Sequence, residues 1–143
     1  LTFRPELLKR PSGMACLQRG NLVFSVPVKA QRLKYEYTAD GVERKAPYCD
    51  WELYPVSRWG WAYAGGEFAV QEREMPELPF DTDAPGLLLR ARLTPIDWGL
   101  EDGYTNVCAA CPRSTAPLGA PEEVLLHPYG CTDLRMTELP VLE

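Results

Sequence analysis

Histidine is nearly absent: the 143 residues contain one, His127. A metal site built on paired histidines is therefore out of reach. A histidine general base also needs an orienting group and a nucleophile, and the sequence places neither beside it. Long apolar runs are missing as well, and none approaches the ~20 residues that span a bilayer. Residues 1–10 lack the apolar centre of a signal peptide, with Pro5 and Pro11 interrupting the segment. Basic clusters are lacking too. Fifteen Lys and Arg stand against twenty Asp and Glu, interspersed, for a net charge of −5. That balance argues against nucleic acid as a partner, because phosphate binding needs clustered cations. Neither a nucleophile-elbow GxSxG nor a phosphate-binding glycine loop occurs.

Windows free of proline and long enough for a helix are few. Fourteen prolines and eleven glycines are spread along the chain. A proline inside a helix removes a donor and clashes with the preceding turn. Short strands between turns are what remain. One turn of helix fits only in residues 2–10, where Pro11 would stop it.

The five cysteines are an odd number. Cys16, Cys49 and Cys131 are isolated, and Cys108 and Cys111 form a single CxxC. Structural zinc needs four ligands, and no second pair is present. A redox CxxC would want a βαβ setting, which the proline content denies. Free thiols in a reducing cytoplasm are the expectation.

Period-two alternation locates the strands. Residues 21–28 (NLVFSVPV) suit a pleated surface, with Pro27 pointing to an edge or bulge. Gln18–Gly20 bends into them. Leu33, Tyr35 and Tyr37 alternate with Lys34 and Glu36 as in a half-buried strand. The tight-turn dipeptide Asp40-Gly41 then returns the chain through residues 42–45. Residues 49–54 and 67–74 follow, and then a proline loop over 75–86. Residues 87–94 (LLLRARLT) carry the cleanest alternation, with Leu87, Leu89, Ala91 and Leu93 inward. Residues 97–120 read as a long irregular loop. Residues 122–127 and 131–139 close the chain as two more strands. About eight short strands with long Pro/Gly-rich loops predict an all-β antiparallel sandwich, jelly-roll-like. Residues 1–14 read as a lead-in and 15–143 as the domain. Leu1 in place of Met leads us to expect a piece of a longer chain.

Two features could carry chemistry. Asp97 precedes Trp98 in a glycine-rich loop, where its simplest role is a turn carboxylate. Trp59, Trp61 and Trp98 could stack on sugar rings, although large aromatics most often fill cores. No pair of carboxylates is identifiable as a hydrolytic couple.

Four stretches, in order, carry a family resemblance. Arg19–Ser25 (RGNLVFS) resembles the strand that follows the catalytic barrel in glycoside hydrolase family 127, the β-L-arabinofuranosidase family, with Asn21 where that pattern has proline. Tyr54–Ala62 (YPVSRWGWA) is similar to a second family segment, with Gly60 and Trp61 replacing Asn and Tyr. PIDWGLEDGY, residues 95–104, looks like a family loop, and residues 128–140 (PYGCTDLRMTELP) resemble its C-terminal signature. The resemblance implies a C-terminal β-sandwich accessory domain of a sugar-cleaving enzyme. Its partners would be an upstream helical barrel and a second copy in a homodimer. The family's zinc-bound cysteine nucleophile and its glutamates lie in that barrel. Their Glu-x-Cys and Cys-Cys motifs do not occur here, so no catalytic or metal-binding residue and no cofactor is assigned to this chain. The alternative is a carbohydrate-binding module using Trp59, Trp61, Asp97 and Trp98.

Overall fold

The computed structural model describes residues 3–142. Twelve strands and one turn of 3-10 helix make up its regular structure, so the fold is all-β. No helix is long and apolar enough to cross a membrane among the described residues.

One antiparallel sheet holds the body together and curls into a half-barrel. Its path runs through β1 (Glu6–Lys9), β2 (Ala15–Arg19), β3 (Leu22–Val28), β11 (Glu122–Pro128), β10 (Leu87–Pro95) and β8 (Trp61–Tyr63). Strand β9 (Ala69–Glu72) adds to the first half of β10, and β12 (Leu134–Met136) to the last half of β3. The remaining strands, β4 (Ala30–Tyr35), β5 (Tyr37–Ala39), β6 (Val42–Arg44) and β7 (Asp50–Pro55), form a two-stranded ribbon apart from the sheet. The helical turn, η1 (Tyr129–Cys131), joins β11 to β12.

Local chemistry explains most of these elements. Strand β10 keeps the alternation of its sequence, with Leu89, Ala91 and Leu93 buried and Arg90 and Arg92 exposed. Leu88 departs from it and is buried on the arginine side. Gly20 takes a positive φ of 61° in the tight turn between β2 and β3, a conformation that costs glycine little. Asp40 and Gly41, at φ 50° and 74°, close the ribbon tip as a hairpin turn with both central residues left-handed. Pro27 lies inside β3 opposite Arg135 of β12, in the half of the strand beyond its register with β11.

Three sequence expectations are corrected. Residues 6–9 form a strand and not a helical turn, because pairing with β2 satisfies their backbone groups along a ladder that runs from Glu6↔Gln18 to Lys9↔Ala15. Only Leu134–Met136 of residues 131–139 is a strand, since η1 occupies the first of them. The 33–38 segment is extended but divided, its first half ending β4 at Tyr35 and its second beginning β5 at Tyr37, and it is exposed on both faces and not half-buried.

The core lies on the concave side of the sheet. Leu17, Phe24, Leu89, Leu93 and Leu126 are fully buried there, together with Trp61, Tyr63, Ile96, Trp98 and Leu139. Tyr63 meets Phe68 edge-on, with ring centroids 6.1 Å apart.

Candidate functional site

The tryptophans of the sequence gather where residues 59–61 cross residues 96–98. The crossing is close because residue 60 is glycine. A Cβ at Gly60 would lie 2.4 Å from the Ile96 carbonyl oxygen and 3.1 Å from Trp98 Cβ. The Ile96 amide donates to the Gly60 carbonyl at 3.1 Å and fixes the register.

Trp59, Asp97 and Trp98 then border one open hollow of about 480 Å³, with Pro55, Arg58 and Leu118 completing its wall. Asp97 is exposed and Trp59 half-buried. Trp98 is only 6% exposed, and its indole N–H donates to the Ala109 carbonyl at 2.8 Å, so its ring serves the core. Trp61 faces away from this hollow. It is 8% exposed, donates to the Arg58 carbonyl at 3.2 Å and lies under the Arg58 guanidinium, 5.9 Å from the ring centroid. Of the four residues proposed from sequence for sugar contact, the fold thus brings three to one hollow. Of these, Trp59 and Asp97 present surface.

The long loop beside the hollow is tied down along its length. The Asp97 carbonyl accepts from the Arg113 amide at 2.9 Å, and Leu118 donates to Pro95 at 2.8 Å. Glu101 and Ala109 donate to Val107 and Gly99. The loop is irregular, as its sequence reads, apart from single bridges at Asp97↔Ser114 and Leu100↔Cys108.

The cysteines do not converge. Cys108 and Cys111 are exposed thiols, whereas Cys16 and Cys131 are buried beside a different, mainly apolar cavity of about 750 Å³. No cluster of three His, Cys, Asp or Glu side chains suited to a metal ion occurs among the described residues.

His127 borders a third cavity, of about 900 Å³, and pairs with Ser25 across β3 and β11. Burial, and then the charge of Arg73, holds its imidazole below the ordinary 6.5, while a backbone hydrogen bond with Cys131 opposes the shift. The unfolded chain therefore takes up this proton first as pH falls. Its contribution to stability is complete above pH 6.5 and is lost below it. The melting temperature is expected to decline as pH drops from about 6.5 toward 5, with a shallower decline in His127→Gln. Thermal melts across that range test this, and equal slopes in the two proteins would refute it.

The stretches that carry the family resemblance are partners of one another in space. Residues 19–25 and 128–140 meet where Phe24 pairs with Pro128 and the Ser25 and Thr137 hydroxyls lie 2.8 Å apart, and the adjoining Val26–Val28 pairs with Leu134–Met136. Within the second stretch, the Arg135 guanidinium stacks on Tyr129 at 3.7 Å and donates to its hydroxyl at 2.6 Å. Thr132 donates to the Tyr129 carbonyl at 2.7 Å. Residues 54–62 and 95–104 meet at the Gly60–Ile96 crossing and along Trp61↔Pro95. No family model, curated protein or solved structure matches the chain.

Proposed function

We propose that the chain is a non-catalytic β-sandwich accessory domain of a cytoplasmic glycoside hydrolase similar to family 127, serving to support an upstream catalytic barrel. The observation that favours this reading is the mutual pairing of the resembling stretches. Their side chains are engaged in holding strands and turns together, through Ser25 with Thr137, Tyr129 with Arg135 and Gly60 with Ile96. Residues engaged in such joints serve a scaffold, which supports an accessory role for the chain. On this reading the zinc and the nucleophilic cysteine belong to the barrel. The purified chain is expected to leave an arylarabinofuranoside intact, and turnover by it would overturn the proposal.

The hollow beside Trp59 favours a second reading, a carbohydrate-binding module. A half-buried indole next to an exposed carboxylate offers an apolar surface and an acceptor to a sugar ring. Saturable quenching of tryptophan fluorescence by arabino-oligosaccharides, abolished in Trp59→Ala, would support it. An unchanged spectrum at millimolar sugar would exclude it.

A further inference from the structure

The cavity of about 900 Å³ beside His127 carries positive charge that nothing nearby balances. Lys29, Arg32 and Arg58 border it, against Asp83 and Asp133. Arg32 and Asp133 form an ion pair and cancel. Lys29 and Arg58 are exposed, and among the described residues neither has an ion-pair partner. Asp83 is the remaining carboxylate and pairs with neither. The charge of Arg73 also reaches His127 on the cavity wall. In a chain whose acids outnumber its bases by twenty to fifteen, such a site stands out.

The backbone under the two cations is fixed. The Lys29 amide donates to the Ser57 hydroxyl at 2.9 Å, and the Val56 amide donates to the Lys29 carbonyl at 2.7 Å. These bonds clamp the junction of β3 and β4 to residues 56–57, so Lys29 and Arg58 border the same space. The Arg58 guanidinium is also steered by the Trp61 ring, 5.9 Å away. A guanidinium offers a carboxylate a planar pair of donors, and an ammonium adds a compact charge.

Residues 56–58 border this cavity and also the hollow of Trp59 and Asp97, so the two adjoin. A ligand laid across residues 56–58 meets unlike surroundings at its two ends. One end meets the Trp59 indole and the Asp97 carboxylate, which repels an anion and accepts from hydroxyls. The other end meets Lys29 and Arg58, with Asp83 as a second acceptor for hydroxyls. That asymmetry suits a sugar chain with a carboxylate on one ring and only hydroxyls facing Asp97 on the next.

We infer that Lys29 and Arg58 form a carboxylate-binding site, and that its ligand is an acidic oligosaccharide whose uronate lies in this cavity while the neighbouring ring covers Trp59. The inference rests on the sugar-binding reading of the Trp59 hollow and adds to it the charge of the ligand.

Calorimetric titration of the whole chain with trigalacturonate and with its methyl ester provides the test. The two probes share rings and linkages and differ in charge. The acid is expected to bind at least about tenfold more tightly, and to lose that margin as salt rises from about 20 to 500 mM. Arg58→Gln and Lys29→Gln are each expected to weaken binding of the acid by about three- to tenfold and to leave the ester unchanged. Lys45→Gln removes the same charge on the distant ribbon, where Lys45 pairs with Glu43, and is expected to alter neither. Trp59→Ala is expected to weaken both probes. Circular dichroism checks that each variant is folded, and the comparison of acid with ester needs only the wild-type chain. Equal affinity for acid and ester would overturn the inference and leave the sugar-binding reading standing. Binding of neither probe would overturn both. Triglutamate bound as tightly as trigalacturonate, and indifferent to Trp59→Ala, would also overturn the inference, since the site would then select an acidic peptide.

Discussion

Gly60→Ala is expected to destabilise the protein by about 2–3 kcal/mol, the upper part of the ~1–3 kcal/mol usual for forcing an extra carbon into a packed site. The reason is specific to this position. The added Cβ would sit 2.4 Å from the Ile96 carbonyl oxygen, a backbone atom that no side-chain rotation can move aside. Relief requires the 59–61 and 96–98 segments to separate. That would stretch the hydrogen bond from the Ile96 amide to Gly60 and displace Trp98 from its contact with Ala109. Denaturant unfolding should show a lower midpoint, and tryptophan emission should shift to the red in the native state as Trp98 is wetted. Gly99→Ala makes an informative comparison. Its Cβ would meet the end of the flexible Arg113 side chain at 2.5 Å, which can swing away, so its effect should be well below that of Gly60→Ala. Equal stabilities for Gly60→Ala and wild type would show that the crossing is looser than described.

Phe24→Ala should be more damaging still, costing about 3–5 kcal/mol through lost burial and the cavity left behind. Phe24 is fully buried in β3, opposite Leu17 on one side and Pro128 on the other. That strand is shared by β2, β11 and β12, so a void at its centre weakens three pairings at once. For a domain of this length the loss corresponds to a fall in melting temperature on the order of 10–20 °C. Since small domains are stable by only about 5–15 kcal/mol, part of the population should be unfolded at 37 °C. Leu22→Ala, on the same strand but exposed, should change the melting temperature little. A similar loss in both variants would mean that Phe24 is not the packing centre of the strand.

Both substitutions act on residues from the stretches that resemble the hydrolase family, Phe24 in one and Gly60 in another. Loss of fold in either would support a scaffolding role for those stretches, whereas a catalytic or sugar-binding role would show first in activity or affinity.

The sequence by itself determined the class of fold. Fourteen prolines leave little room for helix, and the alternation of Leu89, Ala91 and Leu93 with Arg90 and Arg92 is a local property that survives unchanged in β10. The Asp40-Gly41 turn was equally legible, because its left-handed backbone is set by two adjacent residues. Tertiary structure decided the rest. Strand β8 is buried at all three positions, Trp61, Ala62 and Tyr63, so it has no alternation to read. Residues 6–9 became a strand because β2 offered a ladder, which local propensity cannot foresee. The ribbon has a half-buried pattern with no surface of its own chain to bury against, since period two specifies two unlike faces and says nothing of what will cover one of them. The Trp59–Asp97 hollow exists only because Gly60 lets two distant segments touch. Long-range contact sorted the tryptophans, sending Trp61 and Trp98 into the core and leaving Trp59 at the surface of the hollow.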